Sequence, residues 1–334
     1  MQFPKKAIFA FNANIDHLIF ATDEDAETID RSFPEIASAM SESFGTGVQR
    51  EMQIGSKECG FLLSSFKSKA KKIVGGQAGN AAEQASALGT DCLLHTNFAN
   101  EELMKLFSHP KKIFAATEKG FAPADGFPSQ SPSAHHFVFE SAEAQTRFIC
   151  SFDPFPLHPE AAFCEKINAE LESVHHAFVG GMHLVKSADR VAKFAREIER
   201  WKEISPNLSV FVEMGESQNS DVLDAVRKEI FPLADIMGLN EVEIAQLGCT
   251  PEELAGEVGE MLFHTAESST IYPEGKGDAS ALEFARKAAA FRAKNGRCGS
   301  EQEISGCDSA FVEKPAWRVG LGDALSCAYF MAMQ

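Results

Sequence analysis

Apolar residues recur along this chain in short buried-looking runs separated by helical stretches. Lys6 to Ile15 (KAIFAFNANI) reads as one strand covered on both faces, ending in the polar run Asn12 to Asp16. Lys72 to Val74 predicts a second strand. Gly75-Gly76-Gln77-Ala78-Gly79-Asn80 ends it and opens a small-residue helix that Gly89 is placed to stop. Cys92 to Asn97 and Lys112 to Ala116 follow as strands, with a short helix over 101–107 between them. From residue 159 the alternation becomes regular. Strands are expected at 176–181, 208–214 and 234–239, with another beginning at Met261, and helices at 160–171, 189–201, 222–231 and 251–261. In the helix over 189–201, Val191, Phe194, Ala195 and Ile198 share one side. Such a succession predicts an α/β fold with a mostly parallel central sheet flanked by helices.

Two stretches break the rhythm. Residues 18–70 carry the acidic run Asp23-Glu24-Asp25 and one modest amphipathic helix around Phe61, Leu62, Leu63 and Phe66, an excursion from the main sheet. Residues 118–134, rich in Gly, Pro and Ser, predict a loop. Ser133 to Glu140 and Arg147 to Phe152 then form a hairpin whose alternating polarity predicts one wet face. A small β-rich lid over the mouth of the main sheet is the expected arrangement. The large domain would comprise 1–17, 71–120 and 153–334, and the lid 18–70 and 121–152.

Charge narrows the partners. Forty-eight acids against thirty-one bases in 334 residues give −17, which argues against nucleic acid and anionic membrane. The N-terminus lacks a secretory pattern and no run approaches the length of a membrane span. Eight cysteines show no C-x-x-C pair and no zinc-like spacing, which fits a reduced, cytoplasmic protein.

The candidate chemistry begins at Gly320-Leu321-Gly322-Asp323, just before an apolar run. Both glycines can take positive φ, and the unpaired N–H groups of the helix that follows would form an anion hole. Asp323 reads either as a helix cap or as a base for an attacking hydroxyl. Gly75 to Asn80 offers a second main-chain site, for packing alone or for a polar ligand. Asn14 and Asp16 could be turn formers or ligand contacts at a strand end. Glu213 and Glu243, with Asn240 and Asp323, are expected to converge at one sheet edge, a set that suits Mg2+ and phosphates.

Several of these stretches, in this order, resemble one family. They are Asn12-Ala13-Asn14-Ile15-Asp16, Gly75-Gly76-Gln77-Ala78-Gly79, Arg147-Phe148-Ile149, Gly181-Met182-His183-Leu184, Val212-Glu213, Phe231-Pro232, Gly238 to Glu243, Phe263-His264-Thr265 and Val319 to Ala324. The chain resembles the ADP-dependent sugar kinases, the glucokinase and phosphofructokinase branch of the ribokinase-like fold, over nearly its whole length. The resemblance implies Mg-assisted transfer of a phosphoryl group from ADP to a sugar hydroxyl, leaving AMP. It makes Asp323 the base, gives the Gly320 and Gly322 turn to the phosphoryl group, and places Arg147 as a lid cation reaching it. Asn14, Asp16, Gly76, Gln77 and His136 fall on sugar-contacting positions, and Asn240, His264, Thr265, Val319 and Leu321 on nucleotide-binding ones. Asn240 and Glu243 match the N-x-x-E motif that organises hydrated magnesium, and Glu213 the acid of H-x-E; Glu213 and Glu243 are the metal positions. The partners are then a small sugar and a nucleotide, with the protein a monomer or homodimer.

The departures are specific. Phe211 stands where the H-x-E histidine belongs, the lid is short and poor in basic residues, and fewer than sixty residues separate Thr265 from Asp323. The sequence ends eleven residues after Asp323, which favours ADP over ATP as donor. Two other readings stand beside the first: an ATP-dependent ribokinase-like kinase of a pentose or nucleoside, and a non-catalytic sugar- or nucleotide-binding pseudokinase.

Overall fold

The structure is a computed structural model and describes residues 1–128, 132–154, 166–217 and 219–333. In chain order its strands are β1 (Lys6–Phe11), β2 (Asn14–Phe20), β3 (Arg50–Gln53), β4 (Lys71–Gly75), β5 (Asp91–Thr96), β6 (Ile113–Thr117), β7 (Gly120–Pro123), β8 (His135–Ser141), β9 (Thr146–Phe152), β10 (His176–Val179), β11 (Ser209–Glu213), β12 (Ile236–Asn240), β13 (Glu260–His264) and β14 (Ser269–Tyr272). Nine of them form the larger sheet, in the order β14-β13-β12-β11-β10-β1-β5-β6-β7. Its interior is parallel, and only the edge strands β14 and β7 run antiparallel to their neighbours. The central strands are continuous apolar runs because helices cover both faces. Helices Gln77–Ala87, Ala279–Asn295 and Leu321–Ala332 pack on one face. Helices Ala188–Ile204, Ser220–Glu229 and Pro251–Val258 pack on the other. Parallel order brings the carboxyl ends of β1, β10, β11, β12 and β13 to one edge, the edge where such sheets bind ligands.

The smaller sheet has the order β3-β9-β8-β2-β4. Helices Asp23–Asp30, Pro34–Thr46 and Ser56–Ser65 bury its back against Ile19, Phe137, Phe139, Phe148 and Cys150. The front carries alternate residues: Asn14, Asp16 and Leu18 of β2, His136, Val138 and Glu140 of β8, Arg147, Ile149 and Ser151 of β9.

Several expectations change here. The run from Lys6 to Ile15 is two strands. The chain breaks at Asn12-Ala13, where Asn12 O accepts from Gly79 N at 3.2 Å, and passes from the large sheet to the small one. A continuous apolar run conceals this because both halves are buried. β4 pairs with β2 in the small sheet and β7 with β6 in the large one, so sheet membership crosses the expected boundaries at residues 17, 71 and 120. Part of the expected 118–134 loop is therefore strand, and residues 129–131 lie outside the described residues, as does the start of the helix expected from residue 160. Residues 18–70 hold three helices, not one. The hairpin has no wet face: His135 through Glu140 are all buried, because its polar side turns into the protein. Among the described residues no helix is long and apolar enough to cross a membrane.

Candidate active site

Gly320 caps the last helix in the left-handed region, φ +73°. A Cβ there would strike the Arg292 guanidinium and lie 2.8 Å from Asn80 Oδ1. Gly322, equally free to take that conformation, is helical; what excludes a side chain there is the His264 ring, whose Cε1 would lie 2.8 Å away. Asp323 in the first helical turn accepts from Asn80 Nδ2 at 2.9 Å, and Asn80 Oδ1 accepts from Arg292 Nη2 at 2.7 Å. Burial and the neighbouring Glu213 push the Asp323 carboxyl up to about 6, against the opposing pull of Arg292 and Asn80. A carboxylate titrating near neutrality is suited to base work.

The acids do converge. Glu213 ends β11, His264 ends β13, and Glu243 stands in the first turn of the helix Glu241–Leu247. His264 Nε2 is 3.5 Å from Glu213 Oε1, while Glu213 Oε2 is buried without a hydrogen-bond partner. Burial and Glu213 push Glu243 up to about 8. Burial works against a charged His264, yet Glu213, Glu243 and Asp323 hold its pKa above the ordinary value. Asn240 and Glu243 also satisfy each other as a capping box: Asn240 Oδ1 accepts from Glu243 N at 3.0 Å, and Glu243 Oε2 from Asn240 N at 2.9 Å. Thr265 Oγ1 accepts from Ser268 N at 3.0 Å and shapes the β13–β14 turn.

Phe211 lies under Glu213, fully buried, stacked on Phe178 at 5.1 Å and tilted against Phe330 at 5.4 Å. It offers Glu213 no donor. Gly238, opposite Glu213 in β12, is required because a Cβ would meet both Glu213 Oε2 and the Phe211 ring. Among the described residues no three His, Cys, Asp or Glu groups could hold a metal directly. The bare Oε2 of Glu213 beside the raised Glu243 does fit a cation that keeps its own waters, the habit of Mg2+.

At the other end of the cleft, Asn14 Nδ2 donates to Asp16 Oδ1 at 2.6 Å, and Asn14 Oδ1 is buried without a partner. Burial raises the Asp16 pKa against the pull of His136, Asn14 and Arg147. His136 bonds Asp153 Oδ1 at 3.2 Å; burial would lower it, but Asp153 carries it to about 9. Gly75 and Gly76 leave room for the Asp16 carboxylate and for Asn14 Oδ1. Gln77 spends both ends of its amide on main chain, accepting from Gly181 N at 2.6 Å and donating to Met214 O. It braces the ends of β10 and β11. Arg147 Nε donates to Gln49 Oε1 at 2.7 Å and its Nη1 is buried without a partner; its charge lowers the pKa of both Asp16 and Asp323.

The residues just before Gly320 clasp the small sheet. Trp317 stacks on Phe20 at 4.4 Å, Arg318 N donates to Glu140 Oε1 at 2.8 Å, and Val319 is buried among Leu18, Val138 and Ile149. Val319 thus turns its side chain into the small sheet, whereas Leu321 is half-buried at the start of the helix.

Sequence reasoning missed Arg292, Asp153 and the Asn80–Asp323 bond. One signal for Arg292 was available: it follows Phe284 and Ala288 on the buried stripe of its helix, where an arginine is out of place.

A family model described as the ADP-specific phosphofructokinase/glucokinase conserved region matches residues 5–269. No curated protein matches the sequence. Among solved structures, a hypothetical ADP-dependent phosphofructokinase from Pyrococcus horikoshii OT3 superposes with a TM-score of 0.77 at 18% identity, covering 99% of this chain and 98% of that one. An ADP-dependent kinase in complex with fructose-6-phosphate and ADPβS gives 0.79 at 17% identity, covering 98% and 93%. Adenosine kinase from Trypanosoma brucei brucei gives 0.53 at 11% identity, covering 81% and 82%. The likeness to all three is one of fold, and that fold is ribokinase-like.

Proposed function

The chain belongs to the ADP-specific phosphofructokinase/glucokinase family, and on that premise we propose that it transfers a phosphoryl group from ADP to a sugar hydroxyl, leaving AMP and a sugar phosphate. The observation that carries the reading is Asp323, titrating near 6, in the first turn of a helix whose entry is the left-handed Gly320. Asp323 takes the proton of the attacking hydroxyl. The unpaired N–H groups of the same turn receive the transferring phosphoryl group, and Arg147 adds positive charge from the small sheet. Asn14, Asp16 and His136 present hydrogen-bonding groups to the sugar; Gly76 makes room for Asn14, and Gln77 holds the strand ends behind them. His264, Thr265 and Leu321, with the main chain at Val319 and the Asn240 turn, border the nucleotide. Glu213 and Glu243 would hold the hydrated Mg2+, which when bound neutralises phosphate charge. The described cysteines are free thiols, which suits a cytoplasmic enzyme.

The test is a coupled assay for AMP and ADP release with ADP-Mg and ATP-Mg against glucose, fructose 6-phosphate, ribose and several nucleosides. AMP from ADP with one hexose is the expected result, and it separates a glucokinase from a 6-phosphofructokinase. Turnover with ATP and a pentose or nucleoside alone would replace ADP as donor; nucleotide binding without any turnover would make the protein a binding module. Asp323→Ala should lower kcat by about 10²- to 10⁴-fold while nucleotide affinity, read by calorimetry, stays near wild type. Retained turnover would remove Asp323 from the chemistry and leave it only a structural partner of Asn80.

A further inference from the structure

Arg292 is 7% exposed, on the helix Ala279–Asn295, and its guanidinium bonds neutral partners: Asn80 Oδ1 at 2.7 Å and Cys298 Sγ at 3.3 Å. A guanidinium is costly to bury beside neutral groups alone, so its position calls for a nearby negative charge. Asp323 is one such charge, reached through Asn80. Asp16, whose pKa Arg292 also lowers, is a second. The turn at Gly320 is a place where a further one can arrive, for the guanidinium lies where the Cβ of residue 320 would be. The chemistry of the chain also fixes direction. An arginine only donates and an ionised carboxylate only accepts, so Asn80 must turn its oxygen to Arg292 and its NH₂ to Asp323. With Oδ2 held, the Asp323 carboxylate cannot rotate freely, and Oδ1 is left for the proton.

We propose that Arg292 is a positioning residue for phosphoryl transfer: it clamps Asn80, which orients Asp323, and it sets a positive charge beneath the turn that receives the phosphoryl group. This rests on the phosphotransfer reading above and extends it to a residue that lies behind the cleft.

The experiment compares kcat and KM of the full chain with those of Arg292→Met, Arg292→Lys, Asn80→Asp and the Arg292→Met/Asn80→Asp pair, and titrates each with ADP-Mg and with AMP by calorimetry. Arg292→Met should lose about 10- to 100-fold in kcat with the sugar KM within about twofold, as for other residues that orient a reacting group. Arg292→Lys should recover part of that loss. Asn80→Asp, nearly isosteric but facing Asp323 with an acceptor, should fall comparably, and the pair should lose little more than either single variant. Arg292→Met should weaken ADP by about tenfold and leave AMP unchanged, since only ADP brings a second phosphate to Gly320.

Wild-type kcat in Arg292→Met, fully multiplicative losses in the pair, or equal weakening of ADP and AMP would overturn the proposal. Should Arg292→Met not fold, wild-type kcat in both Arg292→Lys and Asn80→Asp overturns it. A wild-type chain without turnover refutes the phosphotransfer reading instead, and the ADP and AMP titrations then decide the role of Arg292 by themselves.

Discussion

Gly320 and Gly322 look equivalent in the sequence and are not. Gly320 is needed for a backbone conformation and for the approach of Arg292 and Asn80; Gly322 is needed only for clearance from one ring. Gly320→Ala therefore meets two penalties, left-handed strain of about 1–3 kcal/mol and a clash with a held hydrogen-bond chain. It should lower both Tm and kcat. Gly322→Ala should leave Tm closer to wild type while displacing His264, so that the loss appears mainly in nucleotide KM. Equal Tm losses in the two variants would show that their surroundings do not differ as described. The sequence showed a turn, an acid and a helix start, because these are local. It could not show that His264 of β13 fills the space above one glycine and Arg292 the space beside the other. Those contacts come from segments far away in the chain. Phe211 is similar: its departure from the H-x-E pattern was legible, whereas its stacking on Phe178 and the unpartnered Glu213 Oε2 needed the fold.

At the scale of elements, regular alternation was readable and interruption was not. The strands and helices expected between residues 176 and 261 fall close to the observed ones because each is a run with a single period. In the region 18–70 the sequence pattern shows only the helix around Phe61 to Phe66, although Thr22-x-x-Asp25 is a capping box: Asp25 N donates to Thr22 Oγ1, and Asp25 Oδ2 accepts from Thr22 N at 2.7 Å. The acidic run Asp23-Glu24-Asp25 is the first turn of a helix, where negative charge meets the positive end of the dipole. Thr22→Ala should cost about 1 kcal/mol in chemical denaturation. Unchanged stability would mean that the fold holds this helix without its cap. The helix Ala279–Asn295 went unread because it follows a stretch without clear period, and with it went Arg292.

Over the whole molecule, buried histidines set opposite pH limbs. Burial, aided by His135, pushes His17 down to about 3, and burial alone takes His95 there. Below their ordinary value of 6.5 the unfolded chain takes up protons that the folded chain refuses, so stability falls with acidification. His136, at about 9, has the reverse sign: its contribution is whole below 6.5 and fades as pH rises through 9. Urea midpoints between about pH 4 and pH 9.5 should pass through a maximum. His95→Phe should flatten the acid limb and His136→Gln the alkaline one. An alkaline limb unchanged in His136→Gln would leave Glu243, neutral up to about 8, as its source.

The strip Trp317-Arg318-Val319 bears on how freely this architecture can be recombined. It belongs by sequence to the C-terminal third and by packing to the small sheet, with its indole on Phe20 and its valine among Leu18, Val138 and Ile149. Gly320 begins where it ends. The small sheet is therefore not an exchangeable cassette. A chimera that imported the segments around β2, β8 and β9 from a relative, but kept the native strip, would inherit a mismatched seat for the very residues that lead into the turn at Gly320. Donor and host would have to be cut so that these three residues travel with the sheet they grip, although Arg318 lies 178 positions from its hairpin partner Glu140 in the sequence.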